Sequence, residues 1–336
     1  MLALTIAVSA VSCAAVMLLA LLKPSVNIKG EKIDVFWIPA LIGAVILICV
    51  KSVSADAVFT AFTADNAVNP LKILALFISM TIMSVYLDEV GFFRYLACVV
   101  LRKAGANQLK IFTALYFVVA ALTIVTSNDI IVLTFSPFIC CFAKNAKINP
   151  VPYLAAEFVS ANTWSMMLII GNPTNIYLAV GADINFASYF SAMALPAVLS
   201  GLTAYAVLLL IFKRQLNGPA EPQFFNEKIE DKAGFVTGVA HLLLCTLLLA
   251  VSSYLNLEMW YICPIFATSL FLCVLIEKTV KKEKTKILLR CLKRAPWELI
   301  PFVLSMSVIV LALEKYGAAA EFAAFLGARH PILFYG

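Results

Sequence analysis

Charge is scarce in this chain. Only 13% of its 336 residues are Asp, Glu, Lys or Arg, against roughly 25% in soluble domains. Hydrophobic residues make up 63%, and the mean hydropathy is +0.97. Histidine is nearly missing, with His241 and His330 the two present. None of the nine cysteines forms a CxxC pair, which excludes the zinc and dithiol chemistries that depend on that spacing. HExxH, a nucleophilic serine elbow, a phosphate-cradling glycine loop and a protease-type pair of intramembrane aspartates are all absent. The sequence therefore reads as no enzyme and calls for no cofactor. Its net charge of +6 sits in loops between apolar runs, so no nucleic-acid partner is expected.

What is present is a series of apolar runs long enough to cross a bilayer core of ~30 Å. Spans are predicted at 2–22, 35–51, 70–98, 190–212, 235–254, 259–277 and 296–314. The first has no basic residue before it and Lys23 after it, so it reads as a retained span and not as a cleaved signal. The expected fold class is an all-α polytopic membrane protein, integral to a bacterial plasma (inner) membrane. Cys13, Cys49, Cys98, Cys245, Cys263 and Cys273 fall in such runs and read as small buried hydrophobes. His241 reads as a hydrogen-bonded packing residue, and vicinal Cys140-Cys141 is the one cysteine pair that stands out.

Two polar clusters interrupt the apolar background. Thr126-Ser127-Asn128-Asp129 lies between Ile111–Val125 and Ile130–Ala143, and Gly171-Asn172-Pro173-Thr174-Asn175 breaks a later run. Unpaired polar groups in hydrocarbon cost several kcal/mol each, so they persist only where protein or water satisfies them. The predicted elements are a re-entrant hairpin over 110–143, with arms of about fifteen residues, and a broken helix over 151–181. Two such elements in one chain are the pattern of a secondary transporter.

Basic residues orient this layout. Segments 23–33, 99–110, 143–150, 213–234 and 275–294 hold 20 of the 25 Lys and Arg. They all fall on one side if the hairpin enters and leaves on that side, which the positive-inside rule makes cytoplasmic, with the N-terminus outside. Segment 281–294 alternates basic and apolar groups and is expected to lie on the inner surface.

The chain also repeats itself. At an offset of 226, Pro70 matches Pro296, Ser79-Met80 matches Ser305-Met306, Leu87 matches Leu313, Gly91 matches Gly317 and Ala97 matches Ala323. Opposite membrane orientations would make this an inverted repeat. The same offset sets a partner for the first polar tip at 352–355, beyond Gly336, so the sequence reads as a member that stops before its second hairpin. The expected organisation is two leading spans in 1–69, a first repeat over 70–212, a cytoplasmic linker over 213–234, and further spans with the start of a second repeat over 235–336.

TSNDIIVLTFSPFI, Thr126 to Ile139, is similar to a hairpin tip and returning arm of the ion transporter superfamily. GNPTNIYLA, Gly171 to Ala179, resembles its broken-helix element. That superfamily holds divalent-anion/sodium symporters, citrate-transporter-like permeases, arsenite efflux permeases and sodium/proton antiporters. The resemblance implies a permease of a small anionic solute, driven by Na⁺ or H⁺, with scaffold and transport domains in a homodimer. It implies that Thr126 to Asp129 and Gly171 to Asn175 bind substrate and ion, with Na⁺ at Ser127, Asn128, Gly171 and Asn175. Asp129 departs from the dicarboxylate symporters, which carry Thr there, and looks more like the arsenite and sodium/proton branches. A channel or a structural membrane subunit is the alternative of a different class.

Six further positions carry readings. Glu157 is either a proton or cation relay with Asp129 or a helix-end carboxylate reaching the interface. Asn162 and Thr163, nearer the break, either line the site or bond a neighbouring helix. Asp88, Glu89 and Arg94 form a charged patch that reads as an internal ion pair.

Overall fold

The computed structural model describes residues 1–22, 25–28, 31–65, 69–218, 229, 231–282 and 285–318. Helix dominates because a helix satisfies every backbone N–H and C=O within its own segment, which hydrocarbon demands. α1 (Leu2–Leu22) is followed by a small antiparallel ribbon, β1 (Ser25–Ile28) and β2 (Glu31–Asp34). Then come α2 (Ile38–Cys49), α3 (Ala55–Thr63), α4 (Pro70–Glu89) and α5 (Phe92–Ala104). α6 (Gln108–Val125) and α7 (Asn128–Asn145) form a helical hairpin. α8 (Val151–Trp164) runs into two 3₁₀ turns, Ser165–Met167 and Ile169–Gly171, before α9 (Pro173–Gly181). α10 (Phe186–Phe212), α11 (Lys232–Val251), α12 (Met259–Val280), α13 (Lys286–Arg294) and α14 (Leu299–Lys315) complete the order.

Among the described residues, seven stretches are long and apolar enough to cross a membrane: α1, α4, α6, α10, α11, α12 and the run Lys286–Lys315. That last run is not one helix, because Ala295 is extended (ψ 144°) between α13 and α14. The protein is thus an all-α polytopic membrane protein.

Two spans and the hairpin differ from expectation. The run 35–51 yields only α2, whose 12 residues extend about 18 Å, too short to cross alone. The run 70–98 is two helices, broken at Gly91 (φ +83°), where the left-handed backbone favours glycine. The hairpin arms have 18 residues each, about 27 Å. Arm length therefore does not favour re-entry over crossing; the loop charges carry that argument alone. The repeat has a local structural counterpart. Gly91 N–H bonds Asp88 C=O at 2.9 Å, and Gly317 (φ +69°) bonds Glu314 C=O at 2.9 Å, the same turn at the same offset. Ala323 lies outside the described residues.

The chain folds as two compact units, Met1–Leu74 with Pro296–Gly336, and Ala75–Ala295. In the first, α1, α2 and α14 pack around Ala44, Leu47, Val53, Val308, Ile309 and Ala312. A Cβ on Gly43 would lie 2.1 Å from Ser12 Oγ, so glycine is what lets α2 approach α1 this closely. Thr5 Oγ1 donates to Ser52 Oγ at 3.0 Å, and Lys315 Nζ donates to Ser52 C=O at 2.9 Å.

In the second unit α8 is central, packed on α6, α7 and α10. Tyr116 OH donates to Gly201 C=O at 2.6 Å, and a Cβ on Gly201 would meet the Trp164 ring at 2.4 Å. The charged patch resolves differently from its expected form: Arg94 is exposed, while Asp88 and Glu89 pair with α13. Arg294 reaches Asp88 at 2.6 Å and Glu89 at 2.7 Å, and Arg290 reaches Glu89 at 2.6 Å. His241 is hydrogen-bonded on both ring nitrogens, to Thr237 C=O at 2.8 Å and Ser269 Oγ at 3.3 Å. Cys98, Cys245 and Cys263 are buried as expected, but Cys49 and Cys273 are exposed; an apolar thiol costs little on a surface that faces lipid.

Candidate functional site

The hairpin turns where the sequence becomes polar. Thr126 is extended (φ −129°, ψ 176°) and its Oγ1 closes α6 by donating to Leu122 C=O at 2.7 Å. Ser127 is extended too and caps α7 without a side-chain hydrogen bond. Short polar side chains at this point compete with helical bonding and favour the break. Among the described residues, Ser127 Oγ and Asn128 Oδ1 are buried with no partner. Asn128 Nδ2 donates to Asn162 Oδ1 at 3.3 Å, tying the tip to α8. Asn162 Nδ2 in turn donates to Phe158 C=O at 2.8 Å. Thr163, next in α8, is half-buried. Asp129 is exposed at the second position of α7, where the helix dipole favours an anion.

The break begins earlier than Gly171. It runs from Ser165 to Asn172, because Trp164 ends α8 and Leu168 is extended (φ −119°, ψ 150°). Pro173, Thr174 and Asn175 belong to the first turn of α9, which Asn172 caps by accepting from Thr174 N–H at 2.9 Å. Proline at that position lacks only an N–H the helix would leave unpaired. Asn175 holds the break together: its Nδ2 donates to Ser165 C=O at 2.8 Å and Leu168 C=O at 3.0 Å. A Cβ on Gly171 would sit 2.3 Å from Ser165 C=O, so the fold of the break needs glycine there. Sequence reasoning missed Ser165 and Leu168, since WSMMLII reads as continuous apolar helix.

The 3₁₀ turns pack against α6, the arm that leads to the tip. The tip and the helix before the break are therefore joined through Asn128 and Asn162. The Asn175 amide nitrogen is held by the Ser165 and Leu168 carbonyls of the break.

Glu157 is fully buried (0% exposed), which overturns its reading as a carboxylate reaching the interface. Ser136 Oγ donates to its Oε2 at 2.9 Å. Ser136 lies two turns from Asp129 along α7, about 10 Å, so the two acids do not form a direct relay.

Membrane-length helices, a polar hairpin tip and a helix break in one chain define a polytopic integral membrane protein. Residues 28–335 match the citrate transporter family, and the chain belongs to it. The arsenical pump membrane protein of Escherichia coli (strain K12) is 29% identical over 259 residues, covering 72% of this chain and 57% of that protein. The silicon efflux transporter LSI3 of Oryza sativa subsp. japonica is 30% identical over 183 residues, 54% of this chain and 36% of that protein. The chain thus spans 57% of the length of the arsenical pump relative.

Proposed function

We propose that the protein is a secondary active carrier of a small oxyacid or anion, driven by Na⁺ or H⁺. One observation supports this most: two buried oxygens at the hairpin tip, Ser127 Oγ and Asn128 Oδ1, have no partner among the described residues. Buried polar atoms are nearly always bonded, so vacant acceptors mark a place where a ligand completes the set. Oxygen ligands suit a hard cation, and the N-termini of α7 and α9 offer N–H donors to an oxyanion. Asn162 positions the tip, and Gly171 with Asn175 shapes the break beside α6.

Within this reading, Asp129 favours an uncharged hydroxylated oxyacid, such as arsenous or silicic acid, over a dicarboxylate. A carboxylate beside the tip repels a dianion and accepts hydrogen bonds from acid hydroxyls. The names of the arsenical and silicon relatives agree with that choice. The test is a substrate panel in proteoliposomes containing the purified protein. Arsenite, silicate, citrate, succinate and sulfate are each assayed under imposed sodium and proton gradients. Gradient-driven movement of arsenite or silicate is expected. Movement of none of the five would overturn the carrier reading, and movement of citrate or succinate alone would overturn the oxyacid assignment.

A further inference from the structure

Glu157 lies in the interior of the second unit, and no salt bridge to a basic side chain reaches it among the described residues. Its carboxyl is fully buried, Oε2 accepts from Ser136 Oγ at 2.9 Å, and Oε1 is buried without a partner among the described residues. α8 packs on α6, α7 and α10, and the titratable groups on those helices do not neutralise it. Lys110 on α6 and Lys144 on α7 are exposed near helix ends, and Asp129, Cys140 and Cys141 are exposed on α7. Tyr116 OH is committed to Gly201, Tyr205 is paired with Thr113, Tyr153 OH donates to Gln108, and Tyr189 is a buried neutral phenol. An ionised carboxylate buried against one neutral hydroxyl carries a desolvation penalty of several kcal/mol. A small mobile cation relieves it.

We propose that Glu157 and Ser136 form a second cation site, separate from the hairpin tip, occupied by a proton or a sodium ion. Ser136 is eight residues beyond Asn128 on α7, about 12 Å along the helix, so the two sites do not share ligands. The carboxylate and the Ser136 hydroxyl are hard oxygen donors, which suit a proton or Na⁺ and not soft metals. The role of this cation in coupling rests on the carrier reading; its binding does not.

The experiment therefore reads binding first. Purified wild type, Glu157→Gln and Ser136→Ala are compared by infrared difference spectroscopy between acidic and alkaline buffer. They are also compared by thermal unfolding in sodium against choline chloride at equal ionic strength. Glutamine keeps the shape and removes the charge. A neutral-carboxyl stretching band that titrates in the wild type and is lost in Glu157→Gln identifies a proton. Sodium-specific stabilisation that is lost in Glu157→Gln identifies Na⁺. Ser136→Ala shifts the same signal, which keeps the test available if the glutamine variant folds poorly. Identical signals in all three proteins would overturn the site. In proteoliposomes loaded with arsenite, Glu157→Gln should lose acceleration by the gradient of the identified cation. Loss of the cation signal without transport by any of the three proteins refutes the carrier reading and leaves the site standing.

Discussion

Asn128 at the start of α7 donates its side-chain amide to Asn162 on α8 at 3.3 Å. This bond joins the hairpin tip to the helix that leads into the break. It uses the nitrogen of Asn128 and leaves Oδ1 buried and vacant among the described residues. On the proposed reading, the donor half of the amide orients its acceptor half toward a ligand. A change at Asn162 therefore acts through Asn128, and Asn162→Ala should weaken ligand affinity without removing a ligand oxygen.

Asn175 has a structural part that precedes any binding part. Asn175→Ala removes donors from the Ser165 and Leu168 carbonyls. A buried acceptor left unsatisfied costs about 1–3 kcal/mol, so the variant should lose about 2 kcal/mol or more in detergent unfolding. Asn175→Asp should lose as much, because an ionised carboxylate cannot donate. An aspartate variant as stable as the wild type would show that the amide does not hold the break.

Gly171→Ala places a methyl 2.3 Å from the Ser165 carbonyl oxygen. Backbone must move, and overpacking of this kind costs typically 1–3 kcal/mol. Gly181 has nothing within 4 Å of an added Cβ, so Gly181→Ala is the control and should unfold with the wild type. Equal midpoints for the two variants would contradict the close approach at Gly171.

The helical membrane fold was legible because apolar periodicity hardly matters when 63% of the chain is hydrophobic; length and scarcity of charge suffice. The tip was legible because Thr126 to Asp129 are all polar. The start of the break was not, because Ser165 and Leu168 carry no local signal and are stabilised by Asn175, ten and seven residues away. The partners of Asp88 and Glu89 are equally non-local, at Arg290 and Arg294. The burial of Glu157 depends on three neighbouring helices, which no single segment encodes.

The charge bias sets an expected membrane topology. Lys144 and Lys293 are exposed, and both belong to segments expected in the cytoplasm. On a cysteine-free background, Lys144→Cys and Lys293→Cys should resist an impermeant maleimide added to intact cells. Labelling at 144 alone would show that the α6–α7 hairpin crosses the membrane.

Asp231 ties the start of α11 to α12, accepting from Gly234 N–H at 2.9 Å and pairing with Lys278 at 2.7 Å. Burial by itself would raise its pKa, but the hydrogen bonds from Lys278 and Gly234 outweigh burial and hold it below the usual carboxylate range. A depressed folded-state pKa gives stability that is present above the unfolded value of about 3.9 and lost as pH falls through the folded one. Asp231→Asn keeps a capping oxygen but loses the ion pair with Lys278, so it should lose up to about 1 kcal/mol of stability at neutral pH, and the gap should close in acid. A gap independent of pH would contradict the ion pair.

The central claim is that the vacant oxygens of Ser127 and Asn128 bind the transported solute or its driving ion. The most direct measurement is gradient-driven arsenite movement in proteoliposomes by wild type, Ser127→Ala and Asn128→Ala, matched for insertion. The account predicts gradient-dependent movement by the wild type and its loss in both variants, with folding intact. Both variants moving arsenite at the wild-type rate, with wild-type dependence on the gradient, would contradict it.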